Sequence, residues 1–243
     1  MQVIVCKNAQ DVGEAAAMIF ASTIYAKPDC ILGLATGSTP IPTYQKMIEF
    51  YKRGLLDFSK VRSYNLDEYV GLSGDHPCSY RYFMNTELFD HVNIDKANTH
   101  VPSGLGADPE ANAREYDKML AACGGIDLQL LGIGRNGHIG FNEPNDDHFV
   151  YNTNIITLTQ STREANAKYF DKPEDMPAKA ISMGVGGIMA AKRVLLLATG
   201  SSKAQAIHDT VLGPVSPKCP ASILQTHPNT QIICDEEAAA LLK

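Results

Sequence analysis

The feature that most constrains the fold is an alternation of short apolar runs with longer helical patterns. Apolar residues at helical spacing predict helices at Asp11–Ala26, Pro40–Arg53, Pro109–Cys123, Thr162–Tyr169 and Ser202–Leu212. Runs rich in β-branched or aliphatic side chains predict strands at Val3–Cys6, Cys30–Leu34, Val61–Leu66, Leu128–Gly132, Ile155–Leu158, Val194–Ala198 and Gln231–Cys234. Strands that alternate with helices form parallel sheets covered on both faces. The sequence therefore predicts an α/β fold with a mostly parallel central sheet.

The chain is expected to form one domain. Its 243 residues, 44% of them hydrophobic, lie near the upper end of what one domain usually holds. No internal repeat, low-complexity segment or Pro-rich or Gly/Ser-rich linker divides the sequence, so we predict a single domain over residues 1–243. The polar stretches Asn142–Asn154 and Ser73–Asn85 are interpreted as long surface loops, which in compact domains are often functional.

Charge and cysteine usage exclude several classes of protein. The 21 Lys and Arg residues against 27 Asp and Glu give a net charge of −6, with no basic stripe that would favour a nucleic-acid partner, although a local anion site remains possible. The six cysteines are far apart, without a CxxC pair, which predicts reduced thiols in a cytoplasmic protein. Because neither a signal peptide nor a run of 18 apolar residues is visible, we expect no membrane partner.

The segment CILGLATGSTP after the second predicted strand is a candidate phosphate loop. Thr36, Gly37, Ser38 and Thr39 combine a flexible backbone with hydroxyl groups, directly before a predicted helix whose first N–H groups lack partners. The spacing matches neither the dinucleotide nor the nucleoside-triphosphate pattern. An ordinary strand-to-helix turn that binds nothing is the alternative.

Two adjacent carboxylates, Asp67 and Glu68, stand at the predicted C-terminal end of a strand in the segment SYNLDEY. Ligands of open α/β sheets bind at that edge, so a carboxylate there can act as a general base. Neighbours on an extended chain point to opposite sides, and we therefore expect one of the two to face a pocket. Solvated surface acids or a helix cap are the alternatives.

The segment IDLQLLGIGRNGHIGFNEP is the densest group of candidate residues. Asn136, His138 and Glu143 lie among four glycines after a buried strand, and a carboxylate five residues after a histidine can orient and tune the imidazole. A structural histidine on a glycine-rich turn is the alternative. Metal binding is not expected, because no HExxH or comparable ligand spacing occurs, and no GxSxG elbow indicates a nucleophile.

Two basic residues are placed near predicted helix starts. Arg163 is expected to open one helix, and Lys203 is expected in the first turn of another. A lysine there opposes the helix dipole, which is better explained if an anion binds beside it. A side chain that extends into solvent is the alternative.

Taken together, several segments resemble the glucosamine-6-phosphate deaminase family. The resemblance covers nearly the whole chain in order, in TGSTP (36–40), NLDEYVGL (65–72), SY (79–80), LLGIGRNGHIGFNEP (130–144), TR (162–163) and SSKA (201–204). It implies a modified Rossmann-like fold that converts glucosamine 6-phosphate and water to fructose 6-phosphate and ammonia in amino-sugar catabolism. No metal or other cofactor is implied.

The resemblance also implies roles for individual residues. His138, oriented by Glu143 and Asn136, would open the sugar ring, and Asp67 would move the C2 proton to C1. The substrate phosphate would be held by Arg163 and Lys203 together with the loop residues Thr36, Gly37, Ser38 and Thr39. Glu68 is a further candidate for contact with the substrate.

The sequence departs from the family pattern in two respects. Asn136 stands where many members have Asp, and because an amide cannot carry charge, Glu143 is expected to do most of the tuning of His138. Members activated by N-acetylglucosamine 6-phosphate carry an Arg and a Lys where this chain has Asn154 and Ile156, and they have a longer C-terminal extension. We therefore expect a monomer without that activation.

Two other functions are compatible with parts of the pattern. A 6-phosphogluconolactonase shares the fold and a similar G-x-G-x-D-G-H turn, but it lacks LDEY and continues differently after the turn. A non-catalytic sugar-phosphate sensor would keep the phosphate loop, yet such sensors usually carry a helix-turn-helix domain that is not visible here. Asp67, His138 and Glu143 favour the deaminase over both.

Overall fold

The computed structural model describes residues 1–167, 170 and 172–242. The helices that it describes are α1 (Ala9–Ala26), α2 (Ile41–Lys52), α3 (Tyr80–Glu87), α4 (Pro109–Ala122), α5 (Gln160–Asn166), α6 (Val185–Met189) and α7 (Ala204–Val211). The strands are β1 (Gln2–Cys6), β2 (Ile31–Leu34), β3 (Arg62–Asn65), β4 (Asp67–Tyr69), β5 (Thr99–His100), β6 (Leu128–Leu131), β7 (Asn154–Thr157), β8 (Lys179–Ser182), β9 (Val194–Ala198) and β10 (Thr230–Asp235).

The central sheet is parallel, as the alternation of strands and helices predicts. Within the described residues it contains seven strands in the order β1-β10-β9-β6-β2-β3-β5. Every residue of β2, β6 and β9 is buried. Because successive side chains of a strand point to opposite faces, both faces of this sheet are covered, and the expected Rossmann-like α/β fold is confirmed.

A second, smaller sheet stands beside the first and was not expected. Its strands are antiparallel in the order β4-β8-β7, so the strand predicted at Ile155–Leu158 exists but belongs here and not in the central sheet. Only Leu66 separates β3 from β4, so the chain passes from one sheet to the other within a single residue. A strand as short as Asp67–Tyr69 has too few residues for an alternating pattern to be recognised.

The two predicted loops have different outcomes. Residues 143–153 contain no helix or strand, as expected. The loop predicted at Ser73–Asn85 is wrong in its second half, where α3 begins at Tyr80. The Ser79 side chain caps this helix by accepting a hydrogen bond from the Tyr82 N–H at 3.0 Å. The polar and aromatic residues of α3 gave no apolar periodicity that could have indicated it.

The predicted helix Thr162–Tyr169 corresponds to α5, which begins earlier, at Gln160. Arg163 is consequently its fourth residue instead of its second, and Tyr169 lies outside the described residues. Lys203 ends a 3₁₀ turn, Ser201–Lys203, directly before α7. None of the helices in the described part of the chain has the length and apolar character that a bilayer span requires.

Candidate active site

The cleft that holds the predicted residues opens at the carboxyl ends of the parallel strands. The chain adds β3 and β5 on one side of β2 and then crosses to β6 on the other side, from which β9 and β10 continue outward. The order in which strands are added therefore reverses between β2 and β6, although the two strands are parallel. Open α/β sheets bind ligands at such a switch point. The cleft has a volume of about 850 Å³ and is lined by the segments that follow β2, β3, β6 and β9.

Asp67 lines this cleft as the first residue of β4. Its side chain is buried, and none of the described residues donates a hydrogen bond to the carboxylate. Burial, followed by the neighbouring negative charge of Glu68, raises the pKa of Asp67 to about 8. A carboxyl group with a pKa near the working pH can both accept and return a proton.

Glu68 faces away from the cleft, as the alternation along a strand requires. It is not among the residues that line the cavity. Its carboxylate accepts hydrogen bonds from the backbone N–H groups of Tyr69 (2.8 Å), Tyr80 (2.9 Å) and Arg81 (3.0 Å). The structure therefore uses Glu68 to anchor the start of α3 and leaves Asp67 as the carboxylate of the pair that faces the cavity.

His138 reaches the cleft because the turn after β6 lets its ring lie across a glycine. A Cβ atom added at Gly134 would stand 2.3 Å from His138 Cε1, so any other residue would displace the imidazole. The Gly134 N–H also donates to the His138 carbonyl at 2.9 Å, which closes the turn. Further along, Gly140 has φ +57°, and an added Cβ there would be 3.5 Å from Asp67 Oδ2. The glycines thus bring the imidazole loop against the carboxylate strand.

Glu143 is the partner of the imidazole. Its Oε2 atom lies 3.5 Å from His138 Nδ1 and accepts a hydrogen bond from Asn136 Nδ2 at 2.8 Å. Oε1 accepts hydrogen bonds from the hydroxyl groups of Thr159 (3.2 Å) and Thr162. Burial alone would raise the pKa of Glu143, but His138 and the hydrogen bonds from Thr162 and Asn136 outweigh it and lower the pKa to about 2.

Asn136 acts on the imidazole indirectly. Its amide nitrogen donates to Glu143, and its oxygen accepts from the His138 backbone N–H at 3.3 Å. The residue thereby fixes the carboxylate and the main chain on either side of the ring. This arrangement accounts for an amide at position 136, since a charged carboxylate there would face Glu143.

The predicted phosphate loop forms the other end of the cleft. Its four residues, Thr36, Gly37, Ser38 and Thr39, line the cavity directly before α2, and Lys203 lines it from the segment after β9. Lys203 Nζ donates to the Ile133 carbonyl at 2.6 Å, which aims the ammonium group along the floor of the cleft. Burial and then the charge of Arg135 lower the pKa of Lys203.

The second cation at this end is Arg135, which the sequence analysis did not select. Arg135 lines the cleft, whereas Arg163 is not among the lining residues. The Arg163 Nε atom is buried and has no hydrogen-bond partner among the residues described. The signal for Arg135 was its position inside the glycine-rich turn, one residue before Asn136. Because Lys203 and Arg135 repel each other, a bound anion between them would stabilise both.

An aromatic wall was also not predicted. The rings of Tyr69, Tyr80, Phe141 and Phe170 contact one another at centroid distances of 4.9 to 6.0 Å and line the cleft beside Asp67. Three of these residues adjoin the selected motifs in sequence. The wall contributes to the burial of the carboxylate, and burial is the largest cause of its raised pKa.

Fold and cleft together define an α/β protein in which one cavity is lined by carboxylate and imidazole groups, a hydroxyl-bearing loop and two cationic side chains. The chain belongs to the family of glucosamine-6-phosphate isomerases and 6-phosphogluconolactonases, whose sequence model matches residues 7–233.

Similar proteins span the same length. A glucosamine-6-phosphate deaminase of Halothermothrix orenii is 51% identical over 242 residues, and one of Clostridium perfringens strain SM101 is 53% identical over 243 residues; each match covers 100% of both chains. The solved structure of a monomeric glucosamine-6-phosphate deaminase gives a TM-score of 0.96 at 43% identity, covering 99% of this chain and 100% of that one. A 6-phosphogluconolactonase of Trypanosoma cruzi, at 17% identity and a TM-score of 0.78, shares the fold alone.

Proposed function

We propose that this chain is a glucosamine-6-phosphate deaminase, which converts glucosamine 6-phosphate and water to fructose 6-phosphate and ammonia in amino-sugar catabolism. One observation carries the proposal: a cleft that is lined by a buried carboxylate, an imidazole paired with a second carboxylate, and a hydroxyl loop with two cations. The names of the relatives that match over the full chain support it.

His138 opens the sugar ring in this mechanism. Glu143 stays ionised beside Nδ1, so its charge can stabilise the imidazole while the ring nitrogen that faces the cleft takes the proton of the anomeric hydroxyl and gives it to the ring oxygen. The product of this step is the open-chain aldehyde, in which C2 carries the amino group. The hydrogen on C2 becomes acidic because it is adjacent to the aldehyde carbonyl.

Asp67 performs the isomerisation. Its carboxylate removes the C2 proton, and the electron pair forms a C1–C2 double bond while the aldehyde oxygen gains a proton from the substrate's ammonium group on C2. Return of the proton to C1 leaves a C2 imine, which water hydrolyses to the ketone and ammonia. Without substrate, Asp67 is expected to be largely protonated at neutral pH, because burial raises its pKa to about 8. The substrate's ammonium group on C2 would lower that pKa on binding and so produce the base where it is needed.

Phosphate binding is assigned to the loop from Thr36 to Thr39 with Lys203, and to Arg135 as the second cation. Arg135→Gln is expected to raise KM for glucosamine 6-phosphate about three- to tenfold with little change in kcat, because the phosphate is far from the reacting carbons. Arg163→Gln is the matched comparison, since the sequence analysis assigned the same role to Arg163. A rise in KM for Arg163→Gln and none for Arg135→Gln would return the role to Arg163.

The test of the function is an assay of purified protein with glucosamine 6-phosphate, in which ammonia and fructose 6-phosphate are measured separately. Equal amounts of the two products are expected. A parallel assay with 6-phosphogluconolactone distinguishes the lactonase alternative, and absence of ammonia would refute the proposal.

We further propose that the chain acts as a monomer in the cytoplasm, without activation by N-acetylglucosamine 6-phosphate. The monomeric relative supports the first point, and the uncharged Asn154 and Ile156 on β7 support the last. Light scattering gives the mass in solution. Sigmoidal kinetics that become hyperbolic when N-acetylglucosamine 6-phosphate is added would contradict the proposal.

A further inference from the structure

The Glu143 carboxylate is bound by two separate parts of the chain. Oε2 faces the turn after β6, where Asn136 and His138 contact it. Oε1 faces the start of α5, where Thr159, the residue that caps this helix, and Thr162 within it donate their hydroxyl protons across 16 and 19 residues of sequence. The side chain is nine-tenths buried, so water cannot replace these donors freely.

The two threonines form one unit. The Thr159 hydroxyl lies 3.1 Å from that of Thr162, and Thr159 Oγ1 also accepts the Thr162 backbone N–H at 3.3 Å as the cap of α5. Each hydroxyl has one proton to donate. Thr159 therefore supports Glu143 either directly or by donating to Thr162, which in turn donates to the carboxylate.

We propose that Thr159 and Thr162 are positioning residues, which keep Glu143 ionised and directed at His138. Ring opening by His138 then depends on the contact that the start of α5 makes with Glu143. The inference rests on the proposed function, since it gives Glu143 its part in that reaction. Three observations carry it: both hydroxyls reach the same oxygen, that oxygen is the one turned away from His138, and Thr162 is itself buried while lining the cleft.

The physical reason is the balance between burial and hydrogen bonding at Glu143. Burial favours the neutral acid, which could not stabilise an imidazolium, whereas each donated hydrogen bond favours the carboxylate. A hydrogen bond to a charged acceptor is stronger than one between neutral groups. When the hydroxyls are absent, the carboxylate can also rotate, because Asn136 holds only Oε2.

The main experiment uses Thr162→Val, which keeps the shape of the side chain and removes its hydroxyl group. We expect kcat to fall roughly 10- to 100-fold, the loss that a charge-assisted hydrogen bond corresponds to, with KM changed less than about threefold. Thr162→Ser restores the hydroxyl group and should return kcat to within about threefold of the wild type. Thr159→Val is less informative, because it also removes the cap of α5.

The matched control is Thr23→Val. Thr23 is half-buried in α1, and its hydroxyl donates only to the Ile19 carbonyl, at 2.8 Å. The same chemical change there should leave kcat unaltered. Thermal unfolding of each variant identifies any loss of folded protein.

A double-mutant cycle with Glu143→Gln distinguishes positioning from a general effect on structure. If Thr162 acts through Glu143, the change Thr162→Val should lower kcat less than about twofold in the Glu143→Gln background. An undiminished loss in that background, or no loss in the wild-type background, would overturn the proposal.

A readout without turnover separates this inference from the proposed function. In protein labelled with ¹³C at the glutamate carboxyl carbon, the Glu143 signal is identified by its absence from Glu143→Gln. The pKa read from its titration should rise by about one unit in Thr162→Val and return in Thr162→Ser. If the wild type releases no ammonia but the Glu143 pKa rises in Thr162→Val, the proposed function is wrong and the role of the threonine hydroxyl groups at Glu143 is supported. A Glu143 pKa that is the same in Thr162→Val and the wild type refutes that role.

Discussion

Asp67 and Glu143 are buried carboxyl groups in one cleft, yet their surroundings change their pKa in opposite directions. Asp67 stands on a strand beside an aromatic wall, with no hydrogen-bond donor among the described residues, and its pKa rises to about 8. Glu143 stands between a polar turn and α5, with three side-chain donors and an imidazole, and its pKa falls to about 2. Burial is common to both sites, so the donors decide which group keeps a proton and which stays charged.

In the proposed mechanism, this contrast gives the two carboxyl groups different tasks. A carboxyl group that gains and loses a proton near neutral pH can move a proton between carbon atoms. One that is ionised at every working pH can only stabilise a positive charge, here that of His138. Variants at Asp67, Glu143 and Asn136 test the contrast.

Replacing Asp67, the proposed carrier of the C2 proton, should lower turnover the most. Asp67→Asn is expected to lower kcat for ammonia release about 10²- to 10⁴-fold, because an amide cannot accept the C2 proton. Asp127→Asn is the control, since Asp127 is also buried but lies at the opposite edge of the sheet, where it pairs with Lys27 and Lys192. That variant should lose stability and keep its turnover. Comparable turnover losses in both variants would mean that Asp67 has no special part.

Replacing the ionised carboxylate of Glu143 should lower kcat less than replacing Asp67 does. Glu143→Gln is expected to lower kcat roughly 10- to 100-fold, because the imidazolium of His138 loses its counter-charge while the proton carrier Asp67 is retained. The measurement is kcat as a function of pH. Turnover that matches the wild type across the whole profile would remove Glu143 from the mechanism.

The same two variants should change stability with opposite sign. Between about pH 4 and pH 8 folded Asp67 holds a proton that the unfolded chain has lost, so wild-type stability falls as pH rises through this window. Asp67→Asn should remove this loss, so its free energy of unfolding should rise relative to that of the wild type as pH increases, by at most about 6 kcal/mol.

For Glu143 the folded pKa lies below the unfolded one, so its charge stabilises the fold above about pH 4 and the benefit is lost as pH falls toward 2. Glu143→Gln should therefore be less stable at neutral pH, by at most about 3 kcal/mol, with the difference vanishing near pH 2. Urea unfolding at several pH values measures both slopes. Equal slopes in the two variants would contradict the contrast.

The smallest effect is expected from Asn136→Asp. This change replaces the amide that donates to Glu143 Oε2 with a second carboxylate, which should raise the pKa of Glu143 by about one unit. We expect kcat to change less than about tenfold, because Thr159 and Thr162 still hold the other oxygen. The pKa of the labelled Glu143 carboxyl carbon is the measurement, and a pKa that falls would show that Asn136 is not its donor.

Sequence patterns predicted the structure correctly where a feature depends on residues that are close together in the chain. The buried runs at β2, β6 and β9 indicated the central sheet, and the alternation along β4 indicated that only one of Asp67 and Glu68 would face a pocket. The sequence did not predict α3, because its residues show no apolar residues at helical spacing. It also placed the strand at Ile155 in the wrong sheet, because pairing partners are not written in the strand itself. That residues 1–243 form a single domain stays a prediction.

Motifs and periodicity depend only on near neighbours in the chain. The sequence alone was therefore enough to show which chemical groups are available and that they follow strands of a parallel sheet. The family resemblance, carried by the same motifs, was confirmed by the match to residues 7–233. The three-dimensional structure was needed to show that Arg135 and not Arg163 lines the cleft, and that Thr159 and Thr162 donate to Glu143. These contacts join residues that are distant in sequence. The pKa values of Asp67 and Glu143 shift in opposite directions for the same reason, because the shifts depend on the groups that the fold brings around each carboxylate.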